Sequence, residues 1–192
     1  MAHPAKVAEV VWYATGRFYV DTNGKVFDVG YFLHLQGIDA PLFDGKAKSE
    51  ANARFTFAAE PFDAPPVDNG GLSIGLDERG TFSLYLRERG DGASFDDPSS
   101  FAAGLRVATF RRVAIVPTVK IATSSTVTVL SNVFTARLIE STPFEFDGAR
   151  YDFAELAGFG ITQWGTAATE PLSPPPGYTS VVPFLGSAVR VG

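Results

Sequence analysis

Short apolar stretches separated by turn residues constrain the fold of this chain more than any other feature. They are rich in Val, Ile, Thr, Phe and Tyr, and their apolar residues alternate with polar or small ones. In one stretch, for example, Leu72, Ile74 and Leu76 alternate with Ser73 and Gly75. A period of two predicts β-strands that are buried on one face, whereas an amphipathic helix has a period of about 3.6 residues. The chain is therefore predicted to be all-β.

The first turn signal is Asn23-Gly24, which lies between the apolar runs RFYV and VFDVGYFLHL. Both residues tolerate a positive φ, so they favour a two-residue type I′ turn. That turn predicts a hairpin in which Val20 pairs with Phe27. Gly30 interrupts the returning strand, and a missing side chain there indicates a bulge or a close backbone approach.

Two further hairpins are predicted downstream. Asp147-Gly148 lies within FEFDGARYDF, where a two-residue loop places Glu145 opposite Arg150 in a favourable charge pair. The runs 72–76 and 82–86 flank the turn sequence ERG and are predicted to pair with each other.

Few segments predict helix. Asp97 is a candidate N-cap for a short helix that begins at Pro98, and a second short helix is predicted over Phe153–Leu156. The last run, 178–191, contains Pro183 and is predicted to be an edge strand, because proline cannot donate a ladder hydrogen bond.

The strands indicate a single meandering antiparallel β-barrel of about 8–10 strands, and the alternative is a two-sheet β-sandwich. A length of 192 residues suits one domain, so residues 1–192 are predicted to form a single β domain. Calycin-like barrels share this strand number. None of their residue motifs is matched, so the comparison concerns architecture alone.

Composition excludes several functions. The net charge of −5 argues against nucleic-acid binding, and the absence of cysteine rules out thiolate metal sites and a cysteine nucleophile. No segment is apolar for long enough to predict a membrane span or a signal peptide, so the protein is expected in the cytoplasm. No dinucleotide or Walker glycine pattern occurs, and no cofactor or metal is expected. The sequence GLSIG matches a serine nucleophile pattern, but no helix is expected after it, so Ser73 is not predicted to be catalytic.

One face of the strand after Asn23-Gly24 is a candidate binding site. Simple alternation places Phe32, His34 and Gln36 on that face, where aromatic bulk adjoins two hydrogen-bonding groups. Histidine is the residue type that most often serves as an acid or base near neutral pH, so His34 is the candidate acid or base. The competing interpretation is that this face is solvated and that His34 has no role.

Arg111 and Arg112 are the other candidate ligand-binding residues. They are adjacent in an apolar strand, so alternation directs them to opposite faces and at least one of them can face inward. The 42 residues from Pro98 to Ile139 hold five basic and no acidic residues, so a buried arginine there needs a distant carboxylate or an acidic ligand. Alternatively, both arginines are solvated.

Three classes of function follow from these patterns. The first is a small-molecule-binding barrel whose aromatic-lined cavity takes an apolar or weakly acidic molecule, because a barrel of this size holds at most one small ligand. The second is a cofactor-independent isomerase or cyclase that uses the same cavity. The third is a structural or protein-interaction module, and formation of a homo-oligomer stays open.

Overall fold

Antiparallel strands make up most of the structure, a computed structural model that describes residues 9–61, 66–69, 72–76, 80–90, 92–121, 127–168 and 172–190. Within those ranges the strands are β1 (Val10–Asp21), β2 (Val26–Leu35), β3 (Phe55–Ala59), β4 (Pro66–Asn69), β5 (Leu72–Leu76), β6 (Thr81–Leu86), β7 (Leu105–Ile121), β8 (Val127–Ser141), β9 (Phe144–Phe146), β10 (Ala149–Tyr151), β11 (Gly160–Ala167) and β12 (Tyr178–Arg190). The helices in the same ranges are α1 (Phe153–Leu156) and the 3₁₀ helices Glu50–Asn52 and Pro98–Ala102. Both short helices predicted from the sequence are present.

Eight of these strands close into a barrel. Their order is β7-β6-β3-β2-β1-β12-β11-β8, and β8 pairs back onto β7 to complete the cylinder. Every pairing is antiparallel. The prediction of a single antiparallel barrel is confirmed, and the chain does not form the two-sheet alternative.

The hairpin predicted between β5 and β6 is wrong. β6 pairs with β3 and with the first part of β7, while β5 pairs with β4 and meets β7 further along, at Leu76 and Ile115. β7 is 17 residues long and β6 is only six, so β7 extends past β6 and leaves room for β5 beside it. Alternation correctly identified both strands. It could not show that they lie one after the other along the same side of the longer strand β7 instead of pairing with each other.

The edge-strand prediction for the last run is also wrong, because β12 lies between β1 and β11 in the barrel wall. Its proline is tolerated for a local reason. The Pro183 carbonyl accepts a hydrogen bond from the Ala168 backbone N–H at 2.9 Å, just beyond the end of β11. Pro183 thus lies one residue beyond the last paired residues of the β11–β12 ladder, Ala167 and Phe184. Its lack of an N–H therefore removes no hydrogen bond from that ladder.

The β1–β2 hairpin forms with a register different from the predicted one. The backbone N–H of Gly24 donates to the Asp21 carbonyl at 3.0 Å, and Gly24 has a φ of +79°. These features make a three-residue loop rather than a two-residue one. Val20 consequently pairs with Val26, and Phe18 pairs with Asp28. A shift of one residue moves every side chain to the other face, so Asp28 joins Phe18 inside the barrel.

Phenylalanine rings fill much of the barrel interior. Neighbouring inward-facing rings have their centroids 4.4–6.2 Å apart. These rings belong to Trp12, Phe18, Phe32, Phe57, Phe82, Phe110, Phe134 and Phe184. Gly16 and Gly30 make room for them, because a Cβ at Gly16 would lie 2.9 Å from the Phe184 ring. A Cβ added to Gly30 would lie 2.6 Å from the Phe57 ring and 2.1 Å from the Thr15 carbonyl oxygen. Gly30 therefore marks a close backbone approach, as its sequence position indicated.

One end of the barrel is covered by the β9–β10 hairpin. Asp147 and Gly148 both have positive φ, and Glu145 pairs with Arg150 as the turn sequence predicted. The rings of Phe144 and Phe146 lie 5.7 and 5.0 Å from that of Phe55. A purely local turn thus delivers two aromatic side chains onto the end of the core.

Part of the outer surface is covered as well. The hydroxyl of Thr56 donates to the Phe101 carbonyl at 2.7 Å, and the Tyr19 hydroxyl donates to the Phe95 carbonyl at 2.7 Å. Burial raises the pKa of Tyr19 to about 12. The segment around Phe95 and Phe101 therefore converts an outward strand face into a second buried layer.

Candidate functional site

Polar side chains meet inside the barrel among the aromatic rings. Arg112 on β7 forms an ion pair with Asp28 on β2, and the two side chains are only 2% and 7% exposed. The guanidinium lies 5.2 Å from the ring centroids of both Phe82 and Phe134, which is cation–π distance. Asp28 is therefore the distant carboxylate that an inward Arg112 requires.

A neutral hydrogen bond adjoins this ion pair. Trp12 Nε1 donates to Gln163 Oε1 at 3.0 Å. The cavity beside these four polar side chains has a volume of about 10 Å³, close to the minimum of about 10–15 Å³ that one water molecule needs. Without movement of side chains, this described part of the interior has no room for an organic molecule.

A β-bulge decides where His34 points. Tyr13 on β1 pairs with His34, but the next residue, Ala14, pairs with Phe32, so Leu33 is an extra residue on β2. The bulge interrupts simple alternation. Phe32 consequently faces the interior, while His34 is on the outer surface.

The five residues predicted as a ligand site are therefore not at one place. Phe32 and Arg112 are inside the barrel, whereas His34 and Arg111 are exposed outside it. Gln36 follows the end of β2, where its Nε2 donates to a carboxylate oxygen of Glu9 at 3.3 Å. The prediction that Phe32, His34 and Gln36 share one strand face is wrong because it assumed unbroken alternation.

The outer surface next to His34 carries a groove of about 500 Å³. His34, Tyr13, Ser187 and Trp164 occupy successive positions in a row across β2, β1, β12 and β11. Ser187 is the small residue of this row, and it lies between the large side chains of Tyr13 and Trp164. Gly186 and Ser187 form the floor on β12, and the aromatic side chains on its two sides form the walls, so the groove results from side-chain size.

The groove exposes several apolar side chains. Tyr13 and Trp164 are 48% and 47% exposed, and Leu185, further along β12, is 60% exposed. The rings of Tyr13 and His34 lie 5.9 Å apart. Among the described residues, no Asp, Glu, Lys or Arg side chain lines the groove, and Ser187 and Thr166 provide hydroxyl groups. Its surface is therefore aromatic and uncharged, with a few hydrogen-bonding groups.

Sequence reasoning did not identify Tyr13 or Trp164 as site residues. A signal for Trp164 was present, because it lies two residues from both Thr162 and Thr166 and so shares an otherwise polar strand face with them. The signal for Tyr13 was weaker, because its sequence neighbours Trp12 and Ala14 are apolar and buried, so no polar residue beside it marked its strand face as exposed. The meeting of these side chains across three strands depends on pairing between distant segments.

No family model, curated protein or solved structure matches this chain. Among the described residues, no helix is long and apolar enough to cross a membrane. The same part of the chain contains no group of three or more His, Asp or Glu side chains that are placed to hold a metal ion.

Proposed function

We propose that this barrel is a small-molecule-binding protein and that the outer groove is its binding site for an uncharged molecule containing a ring. The observation that carries the proposal is the pair of half-exposed aromatic walls, Tyr13 and Trp164, on either side of the small residues of β12. Aromatic side chains at this exposure are not needed to form a strand, because threonine would suit the same positions. Their exposure on the surface supports a binding role.

The chemistry of the lining supports an uncharged ligand. Rings offer flat apolar surfaces, and the hydroxyls of Ser187 and Thr166 together with the His34 imidazole offer hydrogen bonds to the ligand's polar edges. A charged ligand would lose hydration without gaining a partner of opposite charge. His34 thus keeps a role as a polar contact, at the groove rather than in the interior.

The groove is also large enough for such a molecule. Its volume of about 500 Å³ lies within the range of about 300–1,000 Å³ typical of ligand sites, whereas the interior cavity holds about 10 Å³. Binding in the groove requires no break in the ion pair between Asp28 and Arg112. The interior can then stay packed while the outer surface binds the ligand.

The test uses saturation-transfer NMR with a library of uncharged saccharides and uncharged aromatic compounds. Trp164→Ala is expected to weaken binding of any hit at least tenfold, because an aromatic hot-spot residue contributes about 2 kcal/mol or more. The matched control is Phe159→Ala, which removes a 93% exposed aromatic side chain outside the groove lining and should leave affinity unchanged.

Tryptophan fluorescence gives an independent readout. The chain has two tryptophans, and Trp12 is buried, so a ligand in the groove should change the emission of Trp164. The proposal fails if no compound binds or if Trp164→Ala binds hits as well as the wild type does. It also fails if sedimentation shows a dimer that Trp164→Ala dissociates, because a second copy would then cover the groove.

A further inference from the structure

Two arginines lie directly opposite each other on the outer face of the barrel. Arg111 on β7 pairs with Arg137 on β8, and both side chains are exposed. Like charges in this position destabilise a sheet. Among the residues that the structure describes, neither has a carboxylate partner, whereas Arg106 on β7 lies 3.2 Å from the carboxylate of Glu140 on β8. Within the described part of the chain, these two adjacent positive charges therefore have no carboxylate paired with them.

The flanking strands leave the two guanidinium groups accessible. On β6, Thr81 pairs with Arg111, and it precedes the inward-facing Phe82, so its hydroxyl lies on the outer face. On β11, Gly160 pairs with Arg137 and has no side chain to cover it. A hydroxyl donor and an open position therefore border the arginine pair.

The charge distribution along the chain favours an anion at this place. The run from Pro98 to Ile139, which contains both arginines, has a net charge of +5, whereas the rest of the chain sums to −10. Screening limits surface electrostatic interactions to about 8–10 Å at moderate salt, so the nearby charges decide what binds. Glu140 is engaged by Arg106, and among the described residues no carboxylate forms an ion pair with Arg111 or Arg137.

We propose that Arg111 and Arg137 form a binding site for a phosphate-type oxyanion, with the Thr81 hydroxyl as an additional donor. Each guanidinium presents a planar set of N–H donors that suits tetrahedral oxyanions, and one anion between two arginines relieves their mutual repulsion. The site lies on β6, β7 and β8 and does not involve the aromatic groove on β2, β1, β12 and β11. It is therefore independent of the proposed ligand-binding function.

The experiment compares the full-length wild type with Arg137→Gln and, as the matched control, Arg106→Gln. Melting temperature is measured in sodium chloride and in inorganic phosphate at equal, low ionic strength. In chloride, Arg137→Gln is expected to melt about 1–3 °C higher than the wild type, because repulsion is removed. Phosphate at ten times its dissociation constant should raise the wild-type melting temperature by about 3–6 °C, and Arg137→Gln should lose most of that rise.

Arginine Nε–H resonances provide a local readout, since phosphate should shift those of Arg111 and Arg137 in the wild type. A parallel titration with O-phosphoserine tests whether the site prefers free phosphate or a phosphoester. If it prefers a phosphoester, O-phosphoserine should bind more tightly than inorganic phosphate. A phosphate effect of equal size in all three proteins would be a general salt effect and would overturn the proposal. A melting temperature of Arg137→Gln in chloride below that of the wild type would overturn the proposal too, because it would show that Arg137 stabilises the fold and is not repelled by Arg111.

Discussion

Removal of the Asp28 carboxylate is expected to destabilise the barrel strongly, because it breaks a buried ion pair and takes a carboxylate partner away from the Arg112 guanidinium in the interior. Its guanidinium is packed against two phenyl rings, and the adjoining cavity of about 10 Å³ admits at most about one water molecule. Loss of one partner of a buried ion pair costs about 3–5 kcal/mol. For a chain of this length, Asp28→Val should lower the melting temperature by roughly 6–20 °C.

The double variant Asp28→Val/Arg112→Met separates charge from packing. It removes both charges and leaves apolar side chains in their place, a change that is often neutral or stabilising by about 1–4 kcal/mol. We therefore expect the double variant to be more stable than either single variant. Urea unfolding followed by circular dichroism measures the four free energies of unfolding needed for this comparison.

The exposed ion pair between Arg106 and Glu140 is the matched control, since its side chains are 53% and 52% exposed. Glu140→Val removes the same kind of carboxylate from a wet surface and should change stability by less than about 1 kcal/mol. The reasoning is refuted if Asp28→Val costs no more than Glu140→Val. It is also refuted if the losses of the two single variants simply add in the double variant.

Two other predictions concern packing and pH. Gly30→Ala should destabilise the barrel by about 1–3 kcal/mol or more, because its Cβ would lie 2.1 Å from the Thr15 carbonyl oxygen and force β1 and β2 apart; an unchanged urea midpoint would contradict this. Burial raises the pKa of Tyr19 to about 12, so as the pH rises this tyrosine ionises at a lower pH in the unfolded chain than in the folded one. The stability that the neutral Tyr19 contributes below pH 10 is therefore lost as the pH rises towards 12. Tyr19→Phe should therefore flatten the fall in unfolding free energy between pH 10 and 12, and equal slopes for the two proteins would count against the buried hydroxyl.

Features specified by neighbouring residues were predictable. The turn at Asp147-Gly148 has both residues at positive φ and the expected partners, because the backbone preferences of two residues decide a two-residue loop. The short helix α1 begins after Asp152, whose side chain accepts a hydrogen bond from the Ala154 N–H, as a cap does. Strand identity followed from alternation in the same way, since each strand buries one face.

Features that depend on which strands pair were not predictable. The loop before Lys25 has three residues where two were predicted, which places Asp28 in the interior. The bulge at Leu33 places His34 on the outer surface, although the local sequence pattern also allowed the simpler register. Each change shifts the chain by one residue, and one residue is enough to exchange the two faces of a strand. The energy that selects the register comes from burial of rings contributed by distant strands. The ion pair and the aromatic groove each join residues that are far apart in the chain, so only pairing between distant strands brings them together, whereas the arginine pair lies on the consecutive strands β7 and β8.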